Sequence, residues 1–198
     1  MIQIRKGMFE TNSSSVHALI ISKNMDSIPD RELHISHGEW GLEQARYSDP
    51  DDKISYLCQA ICDCTTSFFV NVDIERIALM RNRIDALLNP LRERGITCII
   101  KDDYFKLDKW GCIEGYVNHA YTLCNSYTYS SDGDYLSAFC GEGSILKTLM
   151  DDTDMLIRYV FGDSTLVTAN DNDYKDDPIE DVYGHIKEDK YDVLEKDN

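Results

Sequence analysis

The feature that most constrains this fold is a long amphipathic segment from Asp73 to Arg94. Its apolar residues recur every three or four positions, the period of an α-helix buried along one face. These residues are Ile74, Ile77, Ile84, Leu87, Leu88 and Leu91. Pro90 is expected to kink the last turn because proline lacks a backbone N–H. Gly95 then provides the C-terminal stop. The segment predicts one long helix with a single buried stripe.

A second helix is predicted to begin at Asp49 and Pro50, with Asp49 as the N-cap and Pro50 at the first helical position. The apolar positions that follow share one face, and they are Ile54, Leu57, Cys58, Ile61 and Cys62. A free cysteine on an apolar helical face behaves as a small hydrophobe. Two compact ligand pairs, which a zinc site usually shows, are lacking. The pattern therefore predicts core cysteines and no metal.

Alternating apolar and polar residues predict the strands. Ile2 and Ile4 alternate before a polar run, and Val16, Ala18 and Ile20 alternate after it, which indicates a hairpin. Further strands are predicted over 32–36, 97–100 and 165–168, with 97–100 central in its sheet. A hairpin is expected over 102–119, and two short helices over 144–150 and 155–161.

These elements predict an α+β fold, with a mostly antiparallel or mixed sheet and about three to four helices packed on one face. A chain of 198 residues fits one domain. We expect that domain to span 1–169. Residues 170–198 are polar and acidic, and are expected to form a partly disordered tail with little core of its own.

No stretch reaches the eighteen or more apolar residues that would span a bilayer, and no signal peptide is evident. Without a secretory signal, the seven cysteines are most simply free thiols in a reducing compartment. These features predict a protein of the host-cell cytoplasm with no membrane contact.

The opening segment reads Arg5-Lys6-Gly7-Met8-Phe9-Glu10-Thr11-Asn12-Ser13-Ser14-Ser15-Val16-His17. It resembles the start of a family of small proteins from bacteriophages and Firmicutes genomes. Two further stretches are similar to that family. In the first, Gly38 to Glu43, Trp40 and Leu42 replace an aromatic-glycine-aromatic pattern. In the second, Gly115 to His119, Asn118 stands where aspartate is more usual, so a role for that acid does not carry over. The resemblance implies a mobile-element context and no particular reaction.

The polar run of the opening segment favours a turn, because asparagine and serine side chains bond to nearby backbone groups. We expect Phe9 to be buried beneath the hairpin. The structural motif would comprise Phe9, Asn12, Ser13, Ser14, Ser15 and His17.

The alternative is a small enzyme built on the Asn12–His17 loop. A Ser/His hydrolase would use Ser14 and His17 with Glu39 and His119, since a hydroxyl nucleophile needs an imidazole base and an acid to orient it. A nucleotide site would instead use backbone N–H groups of the loop together with Gly141 to Ser144, ahead of a helix N-terminus. Neither alternative has a complete catalytic or phosphate-binding motif, and no cofactor is expected.

The charge balance is the strongest global signal. Twenty basic residues stand against 36 acidic residues, a net charge of −16. Nucleic-acid affinity comes largely from Lys and Arg at phosphates, so direct nucleic-acid binding is not expected. The excess of acid favours either solubility alone or a basic partner.

The acid is concentrated after residue 150, where fifteen acidic residues face five basic ones. One interpretation is a solubilising tail. The other is a mimic of nucleic-acid charge that binds a basic host protein, such as a CRISPR nuclease or its guide-RNA complex, as an anti-CRISPR-like inhibitor. The candidate partner-binding residues are Asp151, Asp152, Asp154, Asp163, Asp171, Asp173, Asp176 and Asp177.

Overall fold

A computed structural model describes residues 15–25, 27–42, 44–65, 72–109, 111–118, 120, 123, 144–170 and 190–196. The predicted burial of Phe9 and the turn over Asn12, Ser13 and Ser14 lie outside these ranges. So do His119 and the candidate acids from Asp171 to Asp177.

Eight strands and four helices form the described part of the chain, which confirms the α+β class. The strands are β1 (Ser15–Ser22), β2 (Leu33–Ile35), β3 (Glu39–Trp40), β4 (Ala45–Tyr47), β5 (Cys98–Ile100), β6 (Tyr116–Val117), β7 (Thr165–Asn170) and β8 (Tyr191–Lys196). The helices are α1 (Pro50–Thr65), α2 (Ile74–Glu93), α3 (Ile145–Asp151) and α4 (Thr153–Phe161).

The main sheet is antiparallel, with strand order β4-β7-β1-β8. In β1, Leu19 and Ile21 belong to the cluster that packs against the helices, whereas Ala18 and Ile20 pack with Val167 on the opposite face. This is the period-two alternation of a strand. It places His17 on the helix side, together with Leu19.

Two short parallel pairs, β2–β5 and β3–β6, lie outside the main sheet. The prediction that 97–100 is a central strand is wrong, because β5 pairs with β2 alone within the described ranges and Ile99 is 39% exposed. β-Branched residues favour a strand but do not set its place in a sheet. The predicted hairpin over 102–119 is reduced to one antiparallel bridge, between Leu107 and Ile113.

Both long helices begin where predicted, and α2 ends at Glu93, beside the predicted end at Arg94. Asp49 Oδ1 accepts a hydrogen bond from the Asp51 N–H, and Asp73 Oδ1 accepts one from the Arg76 N–H. Both are N-terminal caps of the expected kind. Unlike an amphipathic surface helix, α1 is buried at every position from Lys53 to Cys62. None of the helices in the described ranges has the length and apolar character needed to cross a bilayer.

Strand β8 changes the predicted organisation of the C-terminal region. Residues 191–196 pair with β1 along its length, and Leu194 packs on the main core. Arg158 of α4 reinforces this edge, since its Nη1 atom lies 3.2 Å from Asp192 Oδ2 and donates to the carbonyl oxygen of Ser22. The interpretation of 170–198 as a tail with little core therefore does not hold for 191–196.

Candidate functional site at the polar face of helix α1

Three parts of the chain that are far apart in sequence meet in the fold: His17, the segment 39–41 and the segment 116–118. β3 and β6 pair in parallel, with Glu39 opposite Tyr116 and Trp40 opposite Val117. Asn118 joins them to β1, because its carbonyl oxygen lies 2.8 Å from His17 Nε2 and its side-chain amide donates to the Gly41 carbonyl oxygen at 3.2 Å. Segments far apart in sequence thus form one junction beside α1.

His17 is the centre of this junction and is fully buried. Its Nε2 atom faces a carbonyl oxygen, which can only accept, so Nε2 carries the proton. Its Nδ1 atom lies 3.1 Å from the hydroxyl oxygen of Tyr56, within hydrogen-bond distance. Both ring nitrogens therefore have partners, and the side chain joins β1 to α1 and to the residue after β6.

Gly41 allows this close approach. Its φ angle is +84°, and a Cβ atom placed there would lie 2.8 Å from His17 Cε1 and 3.0 Å from Asn118 Cβ. A side chain at this position would therefore meet both conformational strain and a steric clash.

Helix α1 presents a polar stripe to the junction, formed by side chains three or four residues apart: Lys53, Tyr56, Gln59 and Asp63. Residues at this spacing lie on one helical face. Lys53, Tyr56 and Gln59 are each fully buried. Because buried polar groups need partners, the stripe depends on hydrogen bonds from other elements.

Asp63 supplies one of these links. Its Oδ2 atom accepts a 2.6 Å hydrogen bond from the backbone N–H of Val117, and its Oδ1 atom accepts one of 3.1 Å from Gln59 Nε2. Burial raises the pKa of Asp63 to about 7, and the bonds from Val117 and Gln59 oppose that shift. A carboxyl group of this kind changes protonation near neutral pH.

His37, Gln59 and Tyr104 hold most of the buried polar atoms without an ordinary hydrogen bond in the described part of the chain. These atoms are both ring nitrogens of His37, Gln59 Oε1 and the Tyr104 hydroxyl. The His37 ring stacks on Tyr104 at a centroid distance of 4.6 Å. The Tyr104 hydroxyl faces the Cys62 thiol, a weak partner. Buried polar groups without a partner are uncommon, and each needs a physical explanation.

Lys53 ends the stripe at the first turns of α1. Its Nζ atom donates a 3.0 Å hydrogen bond to the carbonyl oxygen of Ser164 and lies 5.9 Å from the ring centroid of Tyr159. Burial lowers the pKa of Lys53 to about 8, while Asp49 and Asp163 oppose the shift. The Lys53 amine is buried, and its hydrogen bond to Ser164 joins α1 to the loop before β7.

The residues of the alternative catalytic set are only partly described. Ser14 and His119 lie outside the described ranges, and Ser15 is the first residue of β1. Glu39 is exposed on β3. His17 is present at the junction, but its two nitrogens already bind Tyr56 and Asn118.

The described candidate acids sit on α3, on α4 and in the turn after α4, and all are exposed. Asp151 pairs with Lys147 at 2.7 Å, and Asp154 pairs with Arg94 at 2.9 Å. Asp152 caps α4 by accepting from the Met155 N–H. Asp163 accepts a 3.3 Å hydrogen bond from the Tyr191 hydroxyl. These carboxylates are held in place by the fold.

The cysteines differ from the expectation of seven free thiols. Cys58 and Cys62 are free and buried, as core residues would be, and Cys98 and Cys112 are free. Cys64 is disulfide-bonded, so the expectation is wrong for this residue. No group of three or more potential metal ligands occurs within the described ranges.

Sequence reasoning missed Tyr56, Gln59 and Asp63 as site residues. Their spacing was readable, but a polar face on a helix with one apolar face normally indicates solvent. Only the packing of β3, β6 and His17 against that face shows it to be buried.

Comparisons with models of known protein families, with curated proteins and with solved structures find no match. What is established is therefore the class: an α+β protein with a buried polar junction on α1.

Proposed function

We propose that this chain is an acidic phage or mobile-element protein that binds and inhibits a basic, nucleic-acid-handling protein of its host. The observation that carries the proposal is the net charge of −16. A surface with this excess of acid repels nucleic acid and attracts proteins that bind it, because such proteins present Lys and Arg to phosphates.

The proposed contact residues in the described part of the chain, called the acidic corner below, are Asp151, Asp152 and Asp154 at the α3–α4 junction, together with Asp163 just beyond the other end of α4. Contacts from Lys147, Arg94 and the α4 backbone hold the first three carboxylates, and the Tyr191 hydroxyl donates to Asp163. Ordered side chains lose less conformational entropy on binding than mobile ones do. The corner is therefore better suited to a specific contact than an unstructured acidic run would be.

The specific form of the proposal is anti-CRISPR-like. The carboxylates would occupy a groove of a CRISPR nuclease that otherwise holds phosphates, so that the nucleic-acid channel is blocked. Complementary charge would accelerate association more than it would strengthen the final complex. The partner would be the nuclease or its guide-RNA complex.

The test uses purified CRISPR nuclease–guide-RNA complexes and a variant that neutralises the corner while keeping the α4 cap: Asp151→Asn, Asp154→Asn and Asp163→Asn. The matched control removes the same charge elsewhere, with Asp30→Asn, Asp102→Asn and Glu114→Gln. Association rates are measured over a salt series, and target-DNA cleavage is followed in parallel.

We expect the parent chain and the control to bind a nuclease complex, protect the target DNA and lose association rate as salt rises. The corner variant should associate more slowly, with a flatter salt dependence. If the variant matches the parent in both respects, the corner is not the contact. If the parent neither binds nor protects, the anti-CRISPR-like proposal is wrong.

The small-enzyme alternative has weaker support. Of its described residues only His17 is buried at the junction, and both ring nitrogens of His17 already have partners, so neither is left to act as a general base in this arrangement. Glu39 is exposed rather than aimed at His17. The geometry favours the binding function.

A further inference from the structure

Strand β5 has one edge that no other strand covers within the described ranges. Its other edge faces β2, because the Thr97 carbonyl oxygen accepts a hydrogen bond from β2 and the Lys101 N–H donates one to it. Successive residues of a strand direct their N–H and C=O groups alternately to its two edges. Cys98 and Ile100 therefore direct theirs to the uncovered side, which is called the open edge below.

Strand β2, by contrast, is protected at its own outer edge. The His34 N–H donates to Asp51 Oδ1, and the Ser36 N–H donates to Ser55 Oγ, each at 3.1 Å. Two side chains of α1 thus take the place of a neighbouring strand. The open edge of β5 has no such bond among the described residues.

Apolar side chains accompany the open edge. Ile99 is 39% exposed, whereas Cys98 and Ile100 pack partly against the main core. Unpaired backbone groups beside an exposed apolar side chain are a template on which a further strand can pair. Proteins use such edges to bind extended peptides, and the backbone hydrogen bonds provide much of the affinity.

The open edge also lies close to the acidic corner along the chain. Arg94, at the end of α2, donates a 2.9 Å hydrogen bond from Nη2 to Asp154 Oδ1. Cys98 follows Arg94 by four residues, a distance of at most about 14 Å of extended chain. One extended segment of a partner can therefore contact both the open edge and the corner.

We propose that the open edge of β5 binds an extended, basic segment of the partner protein as an added β-strand. The inference rests on the proposed function, which requires a basic partner. Backbone groups of the segment would pair with Cys98 and Ile100, and its lysine or arginine side chains would reach Asp154. A second copy of this chain is a poor occupant, because two molecules with a net charge of −16 repel each other.

The first test is residue-resolved hydrogen exchange of the full chain, alone and bound to the CRISPR nuclease–guide-RNA complexes of the preceding experiment. In the free chain the Cys98 and Ile100 amides should exchange faster than those of Ile99 and Lys101, which face β2. Binding should slow exchange at Cys98 and Ile100 by about tenfold or more, since each gains a hydrogen bond.

The second test removes one donor from the open edge. Cys98→Pro lacks the outward N–H, and an edge strand tolerates proline at such a position. The matched control Cys98→Ala loses the same thiol but keeps the N–H. The complex of Cys98→Pro should dissociate about tenfold faster than that of Cys98→Ala. The salt dependence of association should be the same for both, unlike that of the acidic-corner variant.

The outcomes separate this inference from the proposed function. A chain that binds a nuclease complex without slower exchange at Cys98 and Ile100 overturns the added strand and leaves the proposed function standing. Equal dissociation rates for the two Cys98 variants would do the same. A chain that binds no complex overturns both. Exchange in the parent chain decides the matter even if Cys98→Pro does not fold.

Discussion

His17 Nε2 and the carbonyl oxygen of Asn118 lie 2.8 Å apart although 101 residues separate them in the chain. This bond joins the end of the opening segment to the residue after β6, and the Nδ1 atom of the same ring binds Tyr56 on α1. One buried imidazole therefore holds three elements together, and its role can be tested through stability.

Replacing His17 with Ala should lower the free energy of unfolding by about 3 kcal/mol, because the Tyr56 hydroxyl and the Asn118 carbonyl would both lose a buried partner. Tyr56→Phe removes only one of the two hydrogen bonds and should cost about 1 kcal/mol. Urea unfolding measures both values. Equal losses for the two variants would show that the Asn118 bond contributes nothing.

Gly41 and Gly95 offer a matched pair for testing the close packing at the junction. Their φ angles are +84° and +83°, but a Cβ on Gly95 would have no heavy atom within 4 Å, whereas one on Gly41 would meet His17. Gly95→Ala should cost about 1 kcal/mol from backbone strain alone.

Gly41→Ala should cost more than Gly95→Ala, because it adds a clash to the same strain. Part of that excess should disappear when Gly41→Ala is combined with His17→Ala, since the clashing ring is then absent. Equilibrium unfolding of the single and double variants gives the coupling. Identical losses at the two glycines would contradict the steric account.

Asp63 should make stability fall as pH rises. Its pKa is about 7 in the folded chain against an ordinary value of 3.8, so the folded state binds the proton more tightly than the unfolded state does. The contribution of Asp63 to the free energy of unfolding is therefore largest below about pH 4. It is lost progressively as the pH rises to about 7. The loss is on the order of 4 kcal/mol by linkage.

Asp63→Asn, which resembles the protonated acid, should remove this contribution, whereas Asp85→Asn on the surface should retain it. Unfolding free energies of the three proteins across this pH range measure the difference. A parent chain with the same pH slope as Asp63→Asn would contradict the assignment.

Removal of residues 190–198 should destabilise the fold by more than the roughly 1 kcal/mol typical of one substitution. The deletion takes away β8, its pairing with β1 and the contact of Asp192 with Arg158. Deletion of only 197 and 198 is the control. Hydrogen exchange of the β1 amides and thermal unfolding measure the effect, and equal stability of both deletions would mean that β8 adds nothing.

Much of the fold was readable in the sequence, because local patterns determine local structure. The apolar stripe of 73–94 and the capping residues Asp49 and Asp73 act within a few residues of themselves, so the starts of α1 and α2 and the end of α2 agree with the prediction. The α+β class follows in the same way, because segments with the two-residue spacing of strands occur beside segments with the three- or four-residue spacing of helices.

The tertiary structure decided the site. Nothing local distinguishes a solvated polar face from the buried face that carries Tyr56, Gln59 and Asp63, because that difference depends on what packs against it. β8 is a similar case, since the segment 191–196 forms a strand by pairing with the backbone of β1, which its own sequence does not indicate. The sequence alone determined which residues could form helices, turns and strands. Contacts between residues as distant as His17 and Asn118 determined which polar groups are buried. Burial in turn changed the pKa values of those groups and decided which hydrogen-bond partners they have.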